Sequence, residues 1–356
     1  MELAFRALCR NLDSRERSDD HDWLVPDTRV HERDPRRGQL WVNGARLCHA
    51  RLGLDLSSLL VRAGQRPGPT HFMIGKKWDR RISRANELTS CYPFATEGLR
   101  FYSHVATFQK SFYGEIHKTL ADSPKISSDR PLRDELDLFL LLPKFPGFLS
   151  MIERIAPVPL AQAAASLAQK GPAESQRAIE DFWYRDAELA VGGDDAELQS
   201  ADGIAATDSD GLLAWIFLQP YAESLADHRE SAIVDGTPST CPLCGCKPIV
   251  GVLRSEGDGA KKSLVCMLCA HEWDFRRIYC PGCGEEREPQ MAYYWAPEIA
   301  HVRVDVCDTC HTYLKSVDLT KTGLAVAVVD ELATIPLDLW AREHGYEKLQ
   351  MNLLGT

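Results

Sequence analysis

Eight of the twelve cysteines fall into four Cys-x-x-Cys pairs: Cys241/Cys244, Cys266/Cys269, Cys280/Cys283 and Cys307/Cys310. Successive pairs are separated by 21, 10 and 23 residues. No other feature restricts the fold so tightly, because each pair aims two sulfurs at one point and needs two more to complete a site. In a reducing compartment this spacing signals metal or dithiol chemistry rather than a disulfide framework. Four thiolates at about 2.3 Å from an ion suit zinc, and equally a mononuclear iron.

Two residues between ligands let one tight turn carry both sulfurs. CPLCG and CPGCG fit such a knuckle: Pro242 and Pro281 preset the turn, and Gly245 and Gly284 tolerate a positive φ after it. The other two knuckles place Ala270 and His311 where glycine would be easiest. The outer spacers can each hold two strands and a turn, the first with Gly257 and Gly259 at its centre. The middle spacer, AHEWDFRRIY, has no glycine, proline or asparagine, and its aromatics Trp273, Phe275 and Tyr279 alternate as on a strand. Fully extended it would hold its flanking pairs about 30 Å apart, too far for one site. The simplest pairing is therefore first with second and third with fourth. A cross-braced pairing, first with third and second with fourth, stays open.

Composition excludes several classes. The chain has 356 residues, 44% of them hydrophobic, enough for a core that does not depend on metal alone. Its net charge of −10 argues against a dedicated nucleic-acid binder. Between Cys241 and Lys315 nine Lys/Arg face ten Asp/Glu, so the positive stripe that phosphate binding needs is missing. No stretch approaches the ~20 apolar residues of a membrane span. Leu138–Leu142 is followed at once by Pro143 and Lys144. The start MELAFRALCRNLDSRER lacks the apolar stretch of a secretory signal, so a cytoplasmic protein without membrane insertion is expected.

Residues 1–75 read as a poorly ordered extension: Arg15–Gln39 is charged and aperiodic, a short helix fits Leu54–Val61, and Gly64–Thr70 resembles a linker. A helical domain is expected over 76–230. Leu99, Tyr102, Ala106 and Tyr113 form an apolar stripe, widened by Phe101, Val105, Phe108 and Phe112. Another helix is expected from near Arg130 towards Leu142, resuming over Phe148–Ile155 after Pro143 and Pro146. Further helices fit Leu160–Gln169, Glu174–Ala190 and Leu212–Ala226, with turns at Gly192-Gly193 and Thr207–Gly211. Beyond the polar stretch Arg229–Thr240, residues 241–279 and 280–356 each read as a four-cysteine ribbon module, the second ending in a strand and a helix.

The remaining candidates have plainer readings. Cys246 is expected to be a spectator, and Cys9, Cys48 and Cys91 are scattered. His271 and His311 are expected at the surface or beside ligands, and Tyr293, Tyr294 and Trp295 in the small core of the second module. No Ser/His/Asp set, phosphate loop or paired carboxylates stand out, so no catalytic residues and no organic-cofactor site are expected. A redox-active thiol protein and a zinc-ribbon nucleic-acid binder are the alternatives to a protein whose cysteines hold structural metal.

Several stretches resemble the formate dehydrogenase accessory protein FdhE family. They are CPLCGCKPIVGVLR (241–254), LVCMLCAHEWDFRRIYCPGCG (264–284), VCDTCHTYLKSVDL (306–319) and VVDELATIPLDLWAREHGYEKLQMNLLG (328–355), with helical matches over 79–109 and 217–226. The resemblance implies an α+β fold: a helical N-terminal domain, two tandem rubredoxin-like modules related to zinc ribbons, and a C-terminal helix. It implies iron on the eight paired cysteines, with zinc the alternative. It also implies a non-enzymatic role in formate dehydrogenase maturation through contact with the catalytic subunit, and it is compatible with a homo-oligomer. His311 stands where the family pattern is expected to have glycine.

Overall fold

The computed structural model describes residues 25–26, 76–189, 209–230, 236–257 and 259–355. The expectations for residues 1–75, Cys9 and Cys48 included, lie outside this set apart from the two-residue strand β1 (Val25–Pro26). Those for Gly192 and Gly193 also lie outside it.

The first half of the described chain is helical: α1 (Lys76–Cys91), α2 (Thr96–Ala121), α3 (Leu138–Leu141), α4 (Phe145–Ile155), α5 (Val158–Lys170), α6 (Pro172–Leu189) and α7 (Ser209–Asp227). Every residue of the predicted stripe on α2 except Phe108 is buried. The stripe meets α4 and α7 through a cluster of Phe108, Phe112, Phe145, Phe148 and Phe217, whose neighbouring ring centroids lie 4.8–5.9 Å apart. Such tilted and stacked arrangements add to the area these rings bury. Residues Leu213–Leu218 of α7 are all buried, so this helix is enclosed on every side, as its continuous apolar sequence dictates.

Two helical expectations need correction. There is no continuous helix from Arg130 to Leu142. A 3-10 turn covers Leu132–Glu135, Leu136 is extended at φ −72° and ψ 116°, and α3 restarts at Leu138. Asp137 makes the restart possible, because its side chain accepts a hydrogen bond from Leu140 N–H at 3.1 Å and caps the new helix. The expected turn at Thr207–Gly211 is already helix from Ser209 onward.

The second half is a single sheet with the order β1-β5-β6-β7-β2-β3-β4. Its strands are β2 (Pro248–Glu256), β3 (Gly259–Cys266), β4 (Glu272–Phe275), β5 (Met291–Trp295), β6 (Val302–Cys307) and β7 (Thr312–Asp318). A short β8 (Glu347–Lys348) also pairs with β7. Each four-cysteine module is thus an antiparallel three-stranded unit, β2-β3-β4 or β5-β6-β7. The modules join edge to edge by parallel pairing of Gly251, Val252 and Leu253 with Ser316, Val317 and Asp318. Gly251 permits this seam: a Cβ there would stand 2.2 Å from Ser316 Oγ and 3.2 Å from Ser316 Cβ.

AHEWDFRRIY is not extended along its whole length, contrary to what the alternation of its aromatics suggests. Only Glu272–Phe275 is strand, on the sheet edge against β3. Beyond it the chain folds back: Arg276 lies over the Tyr279 ring at 3.9 Å, and Tyr279 packs edge-on against Phe275 at 5.6 Å. The two adjacent arginines gain more from solvent and an aromatic face than from a further ladder step. The aromatic trio of β5 is half-buried rather than core; Val302, Val304, Val306, Tyr313 and Val317 form the buried face instead.

The C-terminal helical segment is split into α8 (Ala327–Ala333) and α9 (Ile335–Glu343), with Thr334 out of helical geometry and Pro336 opening α9. Together they bind sheet to helices. Arg84 on α1 grips Asp330 on α8 through two hydrogen bonds of 2.6 and 3.1 Å. Behind them, Lys315, Lys348, Glu331 and Asp338 form a closed group of alternating charge, every side chain at most 1% exposed. Lys315 Nζ lies 3.0 Å from Glu331 and 2.6 Å from Asp338, and Lys348 contacts the same two carboxylates. Such a group survives burial only because each charge faces opposite ones.

Candidate metal centres

The fold gathers the eight paired cysteines into two groups. Cys241, Cys244, Cys266 and Cys269 form the first, and Cys280, Cys283, Cys307 and Cys310 the second, with the sulfurs of each group within 4.8 Å of one another. The cross-braced combinations are not assembled. In each module one knuckle follows a strand end, β3 at Cys266 and β6 at Cys307, and the other precedes the first strand.

The knuckles close by local hydrogen bonds. Gly245 N–H donates to Cys241 C=O at 2.8 Å and Gly284 N–H to Cys280 C=O at 2.9 Å. Both glycines have φ +77°, as the CPLCG and CPGCG patterns require. Ala270 and His311, at φ +53° and +54°, hold the same left-handed place at the other knuckles without glycine's freedom. Leu268 N–H and Gly282 N–H each point at a sulfur, that of Cys266 or Cys280, at 3.3 Å. Such amides soften thiolate charge.

The spacing of the sulfurs tests whether an ion fits. Four sulfurs about 2.3 Å from a common centre lie about 3.8 Å apart at the corners of a tetrahedron. In the first group Cys241–Cys269, Cys244–Cys266 and Cys244–Cys269 are separated by 3.6, 3.3 and 3.7 Å. In the second, Cys280–Cys310 and Cys283–Cys307 are separated by 3.6 and 3.7 Å. These separations are close to that value, and with all four sulfurs of each group within 4.8 Å of one another each group could hold one ion. Burial drives the Cys266 and Cys269 thiols well above the ordinary range and lifts Cys280 to about 11, whereas hydrogen bonds with the neighbouring cysteines hold Cys244 well below it. Four thiolates sit together in such surroundings only when a cation balances them.

The surroundings of the groups differ. All four sulfur residues of the first are at most 4% exposed, and helical-domain groups cap both knuckles. Leu132 N–H donates to Leu243 C=O at 3.1 Å, and Arg133 Nε to Cys244 C=O at 2.9 Å. Trp215 Nε1 and Gln219 Nε2 both donate to Met267 C=O, at 3.1 and 2.9 Å. In the second group Cys283 is exposed and Cys310 half-buried.

Arg133 and Cys246 are the residues that sequence reasoning missed. Cys246, read as a spectator, is buried, and Arg133 Nη2 lies 2.8 Å from its sulfur. Cys246 C=O accepts Cys241 N–H at 2.8 Å, closing the knuckle. Arg133 lay in what read as one amphipathic helix; its proximity to Pro131 was the only local sign of a break. His271 is half-buried and His311 exposed, and their carbonyls accept Cys266 N–H at 2.9 Å and Glu347 N–H at 2.8 Å. Among the described helices none is long and apolar enough to cross a membrane.

Comparisons with known proteins converge on one family. Models of the FdhE central domain and the FdhE C-terminal domain match residues 240–277 and 278–354. An FdhE homolog of Aquifex aeolicus is 32% identical over 151 residues, covering 41% of this chain and 53% of that protein. One from Shewanella baltica is 31% identical over 142 residues, covering 39% of this chain and 45% of the relative. The aligned part thus spans about half the length of these curated relatives. The crystal structure of the FdhE protein from Pseudomonas aeruginosa superposes with a TM-score of 0.56 at 22% identity. It covers 82% of this chain and 98% of the solved one, a likeness of fold.

Proposed function

We propose, from the premise that this chain belongs to the FdhE family, that it is an accessory protein for assembly and maturation of formate dehydrogenase. It acts without turnover chemistry, in the cytoplasm, by docking the immature catalytic subunit of that enzyme. Its eight paired cysteines hold two mononuclear metal ions. The observation that carries this reading is the pair of four-sulfur groups on one sheet within the family-matched region. The resemblance favours iron, and the sulfur geometry suits zinc as well.

Bound metal supplies folding free energy, about 10–16 kcal/mol apparent for structural zinc in small peptides. The chain's own contribution is rigidity. Gly251 lets β2 and β7 meet, the Lys315 charge group anchors the C-terminal helices, and Arg84 ties these to the helical domain. A docking surface spanning both modules then keeps one shape. The rival, a redox-active dithiol protein, requires free thiols in the native state; thiol titration before and after chelation separates the two. The direct test deletes the gene and assays formate dehydrogenase activity, with rescue by wild type and by Cys→Ser variants of each group. Activity should fall on deletion and return only with intact cysteine groups. Unchanged activity in the deletion strain refutes the role.

A further inference from the structure

The two cysteine groups share one ligand set but differ in what governs ligand exchange. For an ion to leave a four-thiolate site, one sulfur must swing away and an incoming ligand must take its place. The first group is closed off from solvent. Its four residues are buried, and both knuckles are held from outside the module by Arg133, Trp215 and Gln219. The Arg133 guanidinium also puts a positive charge beside the sulfur cluster, through Cys246 and the Cys244 carbonyl. That charge stabilises thiolates in place and works against their departure.

The second group is held by its own module. Gly282 N–H donates to Cys280 Sγ at 3.3 Å, and Thr312 Oγ1 lies 3.0 Å from Cys310 Sγ. The knuckle is braced by Glu285, whose carboxylate accepts from Thr309 Oγ1 at 2.7 Å. Cys280 and Cys307 are buried, but Cys283 is exposed and the adjoining Gly282 and Asp308 lie at the surface. One corner of this tetrahedron therefore faces solvent, while the opposite two corners are fixed.

We propose that the second group is an exchange site for a thiophilic metal ion, entered past Cys283, whereas the first is a closed site that locks the helical domain to the sheet. This rests on the reading that both groups hold metal. In exchange, the bond from the ion to Cys283 Sγ breaks and one forms to the sulfur of an incoming small thiol. The thiol's proton passes to Cys283, so charge balances and no oxidant or reductant is consumed. Repeated at Cys310, Cys307 and Cys280, each exchange passing one thiol proton to the departing cysteine, it releases the ion as a thiol complex, and the whole sequence reversed loads the site.

The test uses the full chain loaded with zinc, whose content is measured first. Fewer than two ions per chain refutes the reading that both groups are metal centres, and leaves the exchange inference without its premise. With two ions bound, excess 4-(2-pyridylazo)resorcinol should withdraw them in two phases, one ion each, at rates at least tenfold apart. Alkylation with iodoacetamide, read by mass spectrometry, should mark Cys283 and Cys310 in the fast phase and Cys241, Cys244, Cys266 and Cys269 only in the slow one. Cys283→Ser should abolish or speed the fast phase and leave the slow one unchanged. Equal rates, earlier alkylation of the first group, or a slow phase altered by Cys283→Ser would overturn the proposal.

Discussion

Replacing Arg133 with methionine keeps most of the apolar stem and removes the charge. The guanidinium is buried and donates to the carbonyls of Cys244, Phe182 and Trp183, besides its contact with Cys246 Sγ. A hydrogen bond from a charged donor contributes about 1.5–3 kcal/mol net, and each buried acceptor left bare costs about 1–3 kcal/mol. Against this, methionine avoids the several kcal/mol spent on burying an ion. The bonds to Cys244 and Trp183 should outweigh that saving, because both acceptors remain buried after the change. The expected loss is about 3 kcal/mol, a large share of the ~5–15 kcal/mol that holds a typical domain. Urea unfolding of the metal-loaded protein measures it as a lower midpoint at unchanged slope. The first centre should also bind zinc at least tenfold more weakly in a chelator competition, since the charge beside its thiolates is gone. A loss below 1 kcal/mol with unchanged zinc affinity would refute the view that Arg133 clamps the first centre.

Other substitutions probe the frame around the centres. Gly251→Ala should cost about 1–3 kcal/mol by forcing β2 and β7 apart, and Ser316→Gly in the same chain should recover part of it; neutrality of Gly251→Ala in urea unfolding would contradict the close seam. Lys315→Met leaves Glu331 and Asp338 sharing Lys348 alone, and should destabilise by about 3–5 kcal/mol in thermal or urea unfolding; a loss under 1 kcal/mol would show that the group is not charge-paired. Burial alone would raise the Asp330 carboxyl, but hydrogen bonds from His301 and Arg84, with the Arg84 charge, outweigh it and hold the carboxyl below its usual value. A depressed acid contributes stability above its unfolded value, near 4, and loses it as pH falls through the lower folded value. Asp330→Asn should therefore be less stable at neutral pH and show a flatter acid limb below about pH 4; an unchanged acid limb would contradict the Arg84–Asp330 link.

How far the sequence revealed this arrangement depends on how local the determining physics is. A Cys-x-x-Cys knuckle is set by five consecutive residues, so CPLCG and CPGCG disclose their turn, their sulfurs and the positive φ of Gly245 and Gly284. The α2 stripe is equally local, because burial repeats with the helical period. Arg133 was invisible for the opposite reason. Its acceptors stand 49 to 113 residues away, and nothing near it announces a buried guanidinium. The break at Leu136 turns on one side-chain cap at Asp137, which apolar periodicity does not register. The fusion of the modules was hidden because parallel pairing joins strands some 65 residues apart. A glycine inside a strand, Gly251, was its one local trace. AHEWDFRRIY misled for a related reason: alternation of aromatics marks a face, not the length over which a neighbouring strand is available.

The most direct test of the account is metal content in cysteine-depleted chains. Full-length protein, reconstituted and desalted, should hold two ions per chain by elemental analysis. A variant with Cys241, Cys244, Cys266 and Cys269 all changed to serine should hold one, and so should the variant lacking Cys280, Cys283, Cys307 and Cys310. Each of those quartets is one sulfur group in the structure. A cross-braced protein would lose both ions in either variant, because each quartet would then supply half the ligands of both sites. One ion retained in both variants is the result predicted here; none retained, or two, would contradict it.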